Sequence, residues 1–254
     1  MKSRTKLLSA FIVLMMVSLA CATLTGGGDQ PEPPAPAELL PTNTPLPPPP
    51  TSTPLPPPTE PAEEPTTPIT QGGEVLFWDD FSNPDSGWDR FSSDEGLTDY
   101  YNDAYKILVN KDTHFFWANP YQNFDDQIIE VEATVISTST DNQYGIVCRH
   151  LDVDNWYALV ISSDGYAAIR KRYQGNELEF IADWVQSPTI HLGDSTNNLR
   201  AECIGPRLAF YVNGMLAIEV IDADISTGDA GLLAGTFEAP SIEVLFDNFQ
   251  VSAP

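Results

Sequence analysis

Basic residues are scarce in this sequence of 254 residues. Only 12 lysines and arginines stand against 36 aspartates and glutamates, which gives a formal net charge of −24. Three of the basic residues lie in the first six positions, so residues 73–254 hold nine basic and 30 acidic residues, a net charge of −21. A surface this acidic repels phosphate backbones and anionic headgroups. Nucleic acid is therefore excluded as a partner, and membrane contact is expected only through a covalent lipid.

The motifs of several enzyme classes are also missing. The three histidines, His114, His150 and His191, are scattered and do not form the Cys/His cluster that a zinc site requires. The sequence contains no Gly-x-Ser-x-Gly nucleophile elbow and no phosphate-binding loop. After residue 73 no segment of ten or more residues has the apolar period of an amphipathic helix. Zinc enzymes, α/β-hydrolases and nucleotide-binding α/β domains are disfavoured.

Residues 1–20 have the composition of an export signal. A basic stretch at residues 2–6 precedes an apolar run over residues 7–17, which is too short to span a bilayer as a mature helix. Residues 18–21 read Ser-Leu-Ala-Cys and resemble the bacterial lipobox, although that motif usually has leucine where the serine stands. The resemblance implies that Cys21 is acylated, which anchors an exported protein in the cell membrane at the bacterial cell surface. The alternative is an ordinary secretory signal that is cleaved beside a free cysteine.

Residues 21–72 form a proline-rich segment. Of the 23 prolines, 17 lie between residues 31 and 68, and the nine residues 41–49 are nearly repeated in residues 50–58. Such a segment cannot bury enough apolar surface to fold, and its prolines favour the extended polyproline II conformation. We expect a disordered Pro/Thr-rich stalk that lifts the following domain away from the membrane, by about 3.1 Å per residue where it is extended.

Two further cysteines, Cys148 and Cys203, lie in strand-like runs. Disulfides persist in exported proteins. The sequence therefore predicts a bridge that closes a loop of roughly 55 residues and adds on the order of 3–4 kcal/mol to the stability. The alternative is two separate buried thiols.

From residue 73 the hydrophobic pattern has a period of two. Residues 130–135 alternate polar and apolar side chains, which is typical of a strand with one solvated face. The turn signals Ser163-Asp164-Gly165 and Asn213-Gly214 separate apolar runs and predict two hairpins. Further strands are expected at residues 75–81, 104–109, 113–118, 179–184, 230–236 and 242–251. Many short strands without helices predict one all-β domain, an antiparallel sandwich or barrel over residues 73–254.

Short motifs in this segment carry a resemblance to a known fold family. They are Asp79-Asp80-Phe81, Gly145-Ile146-Val147-Cys148-Arg149, Asn155-Trp156-Tyr157, Tyr211-Val212-Asn213-Gly214 and Phe246-Asp247-Asn248-Phe249. Together they resemble the concanavalin A-like superfamily of legume lectins, laminin G modules and family 16 glucanases, and particularly its keto-disaccharide hydrolase-like bacterial branch. The resemblance implies a two-sheet antiparallel jelly-roll sandwich with any ligand groove on the concave sheet. This architecture hosts enzymes, lectins and adhesive modules alike.

Catalytic candidates are few. Family 16 glucanases carry three acids on one strand, and retaining hydrolysis needs two carboxyl groups about 5–5.5 Å apart. The nearest match is Glu130 and Glu132, which share one face of a predicted strand, but Thr134 stands where the third acid is needed. The alternative interpretation is a pair of acids on a solvated face.

Ligand-binding candidates come from aromatic and basic residues on the predicted strands. Simple alternation places Arg149 on one face with Gly145 and Val147, and with Tyr157, Arg170 or Lys171, and Trp184 it would line the concave groove. Aromatic faces stack on sugar rings and a guanidinium supplies hydrogen-bond donors. The alternative is that the aromatic residues are packing residues and that the arginine stacks on a neighbouring ring.

The resemblance also implies a structural Ca²⁺ ion on the convex side, held by backbone carbonyls near the first strand and an aspartate of the last strand. Asp247 matches that last-strand aspartate, and Asp79 or Asp80 lies in the first strand. Hard oxygen ligands suit Ca²⁺. The alternative is that these are solvated acids that protect sheet edges.

Taken together, the sequence predicts a membrane-anchored extracellular binding module, non-catalytic, that recognises a glycan or another extracellular polymer. A glycoside hydrolase or keto-disaccharide-processing enzyme is the first alternative, and a structural or protein-adhesion module is the second.

Overall fold

The computed structural model describes residues 73–136, 139–238 and 241–254. The predicted signal peptide, Cys21 and the stalk lie outside these residues. Within them the secondary structure consists of strands, with no helix long and apolar enough to cross a membrane.

Fifteen strands form two sheets. The larger sheet has nine strands in the order β13-β12-β11-β6-β15-β4-β3-β2, with β1 also paired to β15. Its strands are β1 Val75–Asp79, β2 Phe91–Ser93, β3 Gly96–Tyr100, β4 Tyr105–Val109, β6 Gln127–Val135, β11 Thr196–Ile204, β12 Arg207–Val212, β13 Met215–Ile221 and β15 Ile242–Ser252. The smaller sheet has the order β10-β9-β8-β7-β14-β5. Its strands are β5 Phe115–Ala118, β7 Asn142–Asp152, β8 Asn155–Ile161, β9 Tyr166–Arg172, β10 Glu179–Gln186 and β14 Asp229–Thr236.

Neighbouring strands pair antiparallel throughout the described residues. The predicted fold class, a two-sheet antiparallel jelly-roll sandwich, is confirmed. Both predicted hairpins are present. Asn213 and Gly214 have φ values of 51° and 80°, and Gly165 has a φ of 100°. These left-handed conformations are what tight hairpin turns demand, and glycine adopts them without the steric penalty of a Cβ atom.

The main core lies between the sheets, and a second apolar cluster covers the outer face of the smaller sheet. This second cluster contains Val147, Trp156, Ala158, Val160, Ala168 and Leu233, with Phe115, Trp117, Leu178 and Trp184 packed against it. The disulfide between Cys148 of β7 and Cys203 of β11 crosses the main core, with a Cα–Cα distance of 6.8 Å. The predicted bridge is confirmed, and it joins one sheet to the other.

Strand β7 contains a bulge at Arg149. The pairing of β7 with β8 is regular up to Cys148 and shifts register before Asp152, and Arg149 has a φ of 53°. The pairing of β7 with β14 also shifts register here, between Asp229 and Gly231. Gly228, just before β14, lies so close that a Cβ atom on it would be 2.4 Å from the carbonyl carbon of Arg149. A bulge inserts an extra residue and reverses the alternation of the side chains that follow. Arg149 therefore follows Cys148 into the interior, and His150 is directed outward.

Candidate functional site

A cavity of about 950 Å³ opens where the terminal strands of the two sheets meet, β5 of the smaller sheet and β2 of the larger one. Its lining comes from four stretches of the chain that are distant in sequence. These lining residues are Asp89, Arg90, Phe91, Thr98, His114, Phe115, Phe116, Trp117, Asn119, Tyr121, Gln122, Asn123, His150, Leu151, Asp152, Val153 and Asp229.

Aromatic rings form one wall of this cavity. Because β5 is an edge strand, both of its faces reach the cavity, with Phe115 and Trp117 on the outer side and Phe116 on the side of the main core. The ring centroid of Trp117 lies 5.9 Å from that of buried Trp156, with 28° between the two planes. The ring centroid of Phe115 also lies 5.9 Å from that of Trp156. Stacking on a buried tryptophan fixes the orientation of the Trp117 ring. The wall is a preformed aromatic surface.

Asp89 ties the loop after β5 to the segment before β2. Its Oδ2 accepts a hydrogen bond of 3.1 Å from the main-chain N–H of Asn119, and its Oδ1 accepts one from the hydroxyl of Tyr121. The bond to the Asp89 carboxylate raises the pKa of Tyr121. Tyr121 is nevertheless 73% exposed. Its ring is therefore held by one hydrogen bond while most of its surface stays accessible.

Asp229 is a buried acid at the base of the cavity. It is 7% exposed, and its Oδ1 has no hydrogen-bond partner among the described residues. Burial raises the pKa of this carboxyl to about 7, although main-chain N–H groups of Gln122, Ala230 and Tyr121 oppose the shift. The nearby Asp89 carboxylate raises it further. Asp229 is thus partly protonated at neutral pH.

Two more polar atoms at the cavity are unsatisfied within the described part of the chain. They are the amide Oδ1 of Asn119, a residue 2% exposed, and the ring Nε2 of His150. Burial lowers the pKa of His150 and so favours its neutral imidazole. Buried polar atoms are normally paired with hydrogen-bond partners. Three unpaired polar atoms around a single cavity therefore indicate a binding site for a polar ligand.

The remaining charged groups give the cavity an excess of negative charge. The carboxylate of Asp152 accepts hydrogen bonds from the main chain of Asp154 and the side chain of Asn155, both at 2.8 Å, which lower its pKa. The two basic groups at the rim are already engaged by acids outside the lining: Arg90 Nε donates to Asp99 at 2.6 Å, and His114 Nε2 lies 3.6 Å from Glu95.

Three of the four predicted ligand residues meet in the structure, but in the interior. Arg149 is fully buried and donates hydrogen bonds to the main-chain oxygens of Ile225, at 2.9 Å, and Cys203, at 3.0 Å. Lys171 donates to Asp222 at 2.6 Å, and the Tyr157 hydroxyl donates to the same carboxylate at 2.5 Å. The prediction that Arg149 shares a face with Gly145 and Val147 is wrong, because the bulge redirects its side chain. These residues hold the segment after β13 against the core and do not line an open groove.

Trp184 lies apart from those three, on the outer side of the smaller sheet. Its ring contacts Phe180 at 5.8 Å and Phe237 at 6.0 Å between centroids. It lines a second cavity of about 380 Å³ that also includes Asp141, Asp164 and Tyr166.

The weak catalytic candidates lie on the larger sheet. Glu130 and Glu132 alternate along β6 with Val131 and Ala133, which face the core, so both carboxylates point away from it. Glu130 forms an ion pair of 3.3 Å with Arg200 of the neighbouring strand. Neither residue belongs to the large cavity.

The two calcium candidates lie at the same end of the β1–β15 pair, where Asp79 is opposite Phe249. Asp80 accepts hydrogen bonds from the main chain and hydroxyl of Ser82, and Asp247 accepts one from the main chain of Asn248. The described residues contain no group of three or more Asp, Glu, His or Cys side chains that could hold a metal ion. Side chains alone do not fit a Ca²⁺ site, and one built from main-chain oxygens and Asp247 stays a prediction.

The residues that sequence reasoning missed are those of the cavity, above all Asp89, Trp117, Tyr121 and Asp229. One local signal could have pointed to them. Strand 113–118 was predicted, and it is followed at once by Asn119, Pro120 and Tyr121, a polar and aromatic loop typical of binding sites on rigid strands.

No protein-family model and no curated protein matches the sequence. Among solved structures, the chain is similar to a Bacillus subtilis protein of unknown function with a galectin-like fold. The TM-score is 0.52 at 16% identity, over 72% of this chain and 97% of that one. It is also similar to a Bacillus licheniformis β-glucanase, with a TM-score of 0.52 at 10% identity, over 72% of this chain and all of the other. It is similar, too, to a structure from work on endo-acting O-glycanases of the human gut microbiota. The TM-score is 0.52 at 10% identity, over 71% of this chain and all of that one. These similarities establish the concanavalin A-like jelly-roll fold.

Proposed function

We propose that residues 73–254 form a glycan-binding domain and that the aromatic cavity beside β5 is its ligand site. The observation that carries the proposal is the combination, in this one cavity, of accessible rings and unsatisfied polar atoms. Trp117 and Tyr121 offer flat faces on which sugar rings stack. Asn119, His150 and Asp229 offer hydrogen-bonding atoms to hydroxyl groups. Ligand sites typically combine an apolar lining with a few fixed polar groups in this way.

The fold neighbours support this choice of ligand class. Of the three similar structures, one is a β-glucanase, and another comes from work on O-glycanases that initiate mucin breakdown. Their identity to this chain is 10%, so they support the glycan class and no particular sugar.

As part of the same proposal, the domain is carried at the bacterial cell surface by a lipid on Cys21 and the stalk of residues 21–72, and its role is binding without catalysis. Growth with an alkyne-tagged fatty acid tests the anchor. The full chain should become labelled and should sediment with membranes, whereas Cys21→Ser should be unlabelled. Labelling of the serine variant would contradict the lipid assignment.

A glycan array with the purified full chain tests the ligand site. We expect retention on at least one glycan, weakened at least tenfold by Tyr121→Ala or Trp117→Ala. The matched control is Trp78→Ala, because Trp78 is 53% exposed on β1 and lies outside the cavity. Thermal melting of each variant checks that it is folded. Absence of binding to every glycan, or equal losses in the control, would contradict the proposal.

A second candidate, glycoside hydrolysis, is favoured by one observation. Asp229 is a partly protonated carboxyl with a second carboxylate, Asp89, in the same cavity, and this combination is found where a general acid works beside an ionised partner. Hydrolysis predicts the release of reducing ends, which Asp229→Asn should abolish and Glu130→Gln should leave intact. If no reducing ends are released from any polysaccharide of a broad panel, this candidate is removed.

A further inference from the structure

We propose that the cavity selects a sugar that carries a free, protonated amino group over neutral, N-acetylated or acidic sugars. This proposal rests on the proposed glycan-binding function and assigns the class of sugar to the same site.

The first argument is the charge of the lining. Three carboxyl groups, those of Asp89, Asp152 and Asp229, border the cavity. The basic groups at its rim, Arg90 and His114, are directed to Asp99 and Glu95 and are not available to balance them. A concave site whose lining carries an excess of negative charge concentrates cationic ligands. The negative charge of the cavity, and that of the acidic domain around it, would repel a uronic or sialic acid.

The second argument is the unpaired oxygen of Asp229. Its residue is more than nine-tenths buried, and Oδ1 has no partner in the described part of the chain. Burial of a carboxylate is costly unless a cation or strong donors compensate the charge. A sugar hydroxyl supplies a hydrogen bond but no charge. An ammonium group supplies both, and such charge-assisted hydrogen bonds are roughly twice as strong as neutral ones.

The third argument is the aromatic wall. Trp117, Phe115 and Phe91 line the same cavity as Asp229. The faces of aromatic rings attract cations, tryptophan most strongly. A ring of an amino sugar can therefore stack on Trp117 while its ammonium group reaches the carboxyls. Acetylation of the amine removes the charge and with it both attractions.

Calorimetric titration of the full chain with matched oligosaccharides tests the proposal. The set is a glucosamine tetramer, its N-acetylated form, a neutral glucose tetramer and a galacturonate tetramer, with spermidine as an amine without a sugar ring. We expect the glucosamine tetramer to bind at least tenfold more tightly than the N-acetylated and neutral ones, and the uronate and spermidine not to bind measurably.

Asp229→Asn should bring the ratio between the amino and N-acetylated forms close to one, because it removes the carboxyl group that distinguishes the two. The control is Asp164→Asn in the smaller cavity, which should keep the full ratio. Should Asp229→Asn not fold, Asp152→Asn at the exposed rim should lower the same ratio.

The possible outcomes separate this inference from the proposed function. Equal binding of amino and neutral tetramers would overturn the inference and leave glycan binding intact. Binding of spermidine as tight as that of the glucosamine tetramer would overturn it in favour of amines in general. Absence of binding to every oligosaccharide would overturn both.

Discussion

Arg149 donates a hydrogen bond of 3.0 Å to the main-chain carbonyl of Cys203, the cysteine whose sulfur is bonded to Cys148. Two consecutive residues of β7 thus hold the same residue of β11, one through a covalent bond and one through a guanidinium. Regular alternation would send their side chains to opposite faces. The bulge at Arg149 sends both between the sheets, where they join one sheet to the other.

Arg149→Met should lower the free energy of unfolding by roughly 3 kcal/mol, because it removes the charged donor that hydrogen-bonds the main-chain oxygens of buried Cys203 and Ile225. Urea unfolding measures the loss. The control, Arg90→Met, breaks an exposed pair with Asp99 and a contact of 5.9 Å with the Tyr100 ring, and it should cost less than about 1 kcal/mol. A variant as stable as this control, but unable to bind glycan, would show that Arg149 serves the ligand after all.

Replacement of both Cys148 and Cys203 by alanine should lower the free energy of unfolding by about 4 kcal/mol. The bridge spans 55 residues and restricts the unfolded chain. Urea unfolding of the double variant against the oxidised protein measures the difference. If both cysteines can be alkylated in the folded protein without prior reduction, they are free thiols and the bridge is absent.

Much of the fold was predictable because the hydrophobic period of a strand is local. Residues 130–135 alternate clearly, residues 207–212 form an apolar run, and the Asn213-Gly214 turn fixes the hairpin that follows that run. The short strands β2 and β3 were missed. Phe91–Ser93 is short and contains two serines, and Gly96–Tyr100 mixes polar and apolar residues with a glycine, so neither has the apolar alternation on which the prediction depends.

The site was less predictable because its determinants are not local. Simple alternation misplaced Arg149, since a bulge cannot be read from the residue types around it. The cavity gathers Asp89, Tyr121, His150 and Asp229, which span 140 positions of the chain, and the importance of Asp229 comes from burial that only the folded chain produces. The disulfide was predictable because residues 73–254 contain only two cysteines, Cys148 and Cys203, and both lie in predicted strands.

The resemblance predicts that Ca²⁺ stabilises the larger sheet near Asp247. This aspartate lies directly opposite Glu132 in the pairing of β15 with β6, and like charges in that position repel each other. Saturating Ca²⁺ should raise the thermal midpoint by about 5 °C over that in EGTA. Asp247→Asn should abolish the response, and Asp183→Asn, on an exposed position of β10, should keep it. An unchanged midpoint in EGTA would remove the calcium site.

Asp229 should make the unliganded domain less stable as the pH rises from about 4.5 to 7. Its pKa is near 7 in the folded chain, mainly because it is buried, against an ordinary value of 3.8. Over this interval the folded protein holds a proton that the unfolded chain has lost, so stability falls with increasing pH, by at most about 1.4 kcal/mol per unit. Asp229→Asn removes this penalty and should gain stability relative to the wild type as the pH increases.

Urea unfolding of both proteins at four pH values between 4.5 and 7.5 measures this difference. The other titratable groups that line the cavity include Asp89, His114, Tyr121, His150 and Asp152. They are common to the two proteins, so their own titrations largely cancel. Asp152→Asn is the matched control: hydrogen bonds lower the pKa of Asp152, so its effect should stay constant over the same range. If the difference in free energy of unfolding between Asp229→Asn and the wild type also stays constant from pH 4.5 to 7.5, Asp229 is already ionised at pH 4.5. Its unpaired oxygen would then belong to a carboxylate that the folded chain tolerates without a partner, and the main physical reason for a cationic ligand would be gone.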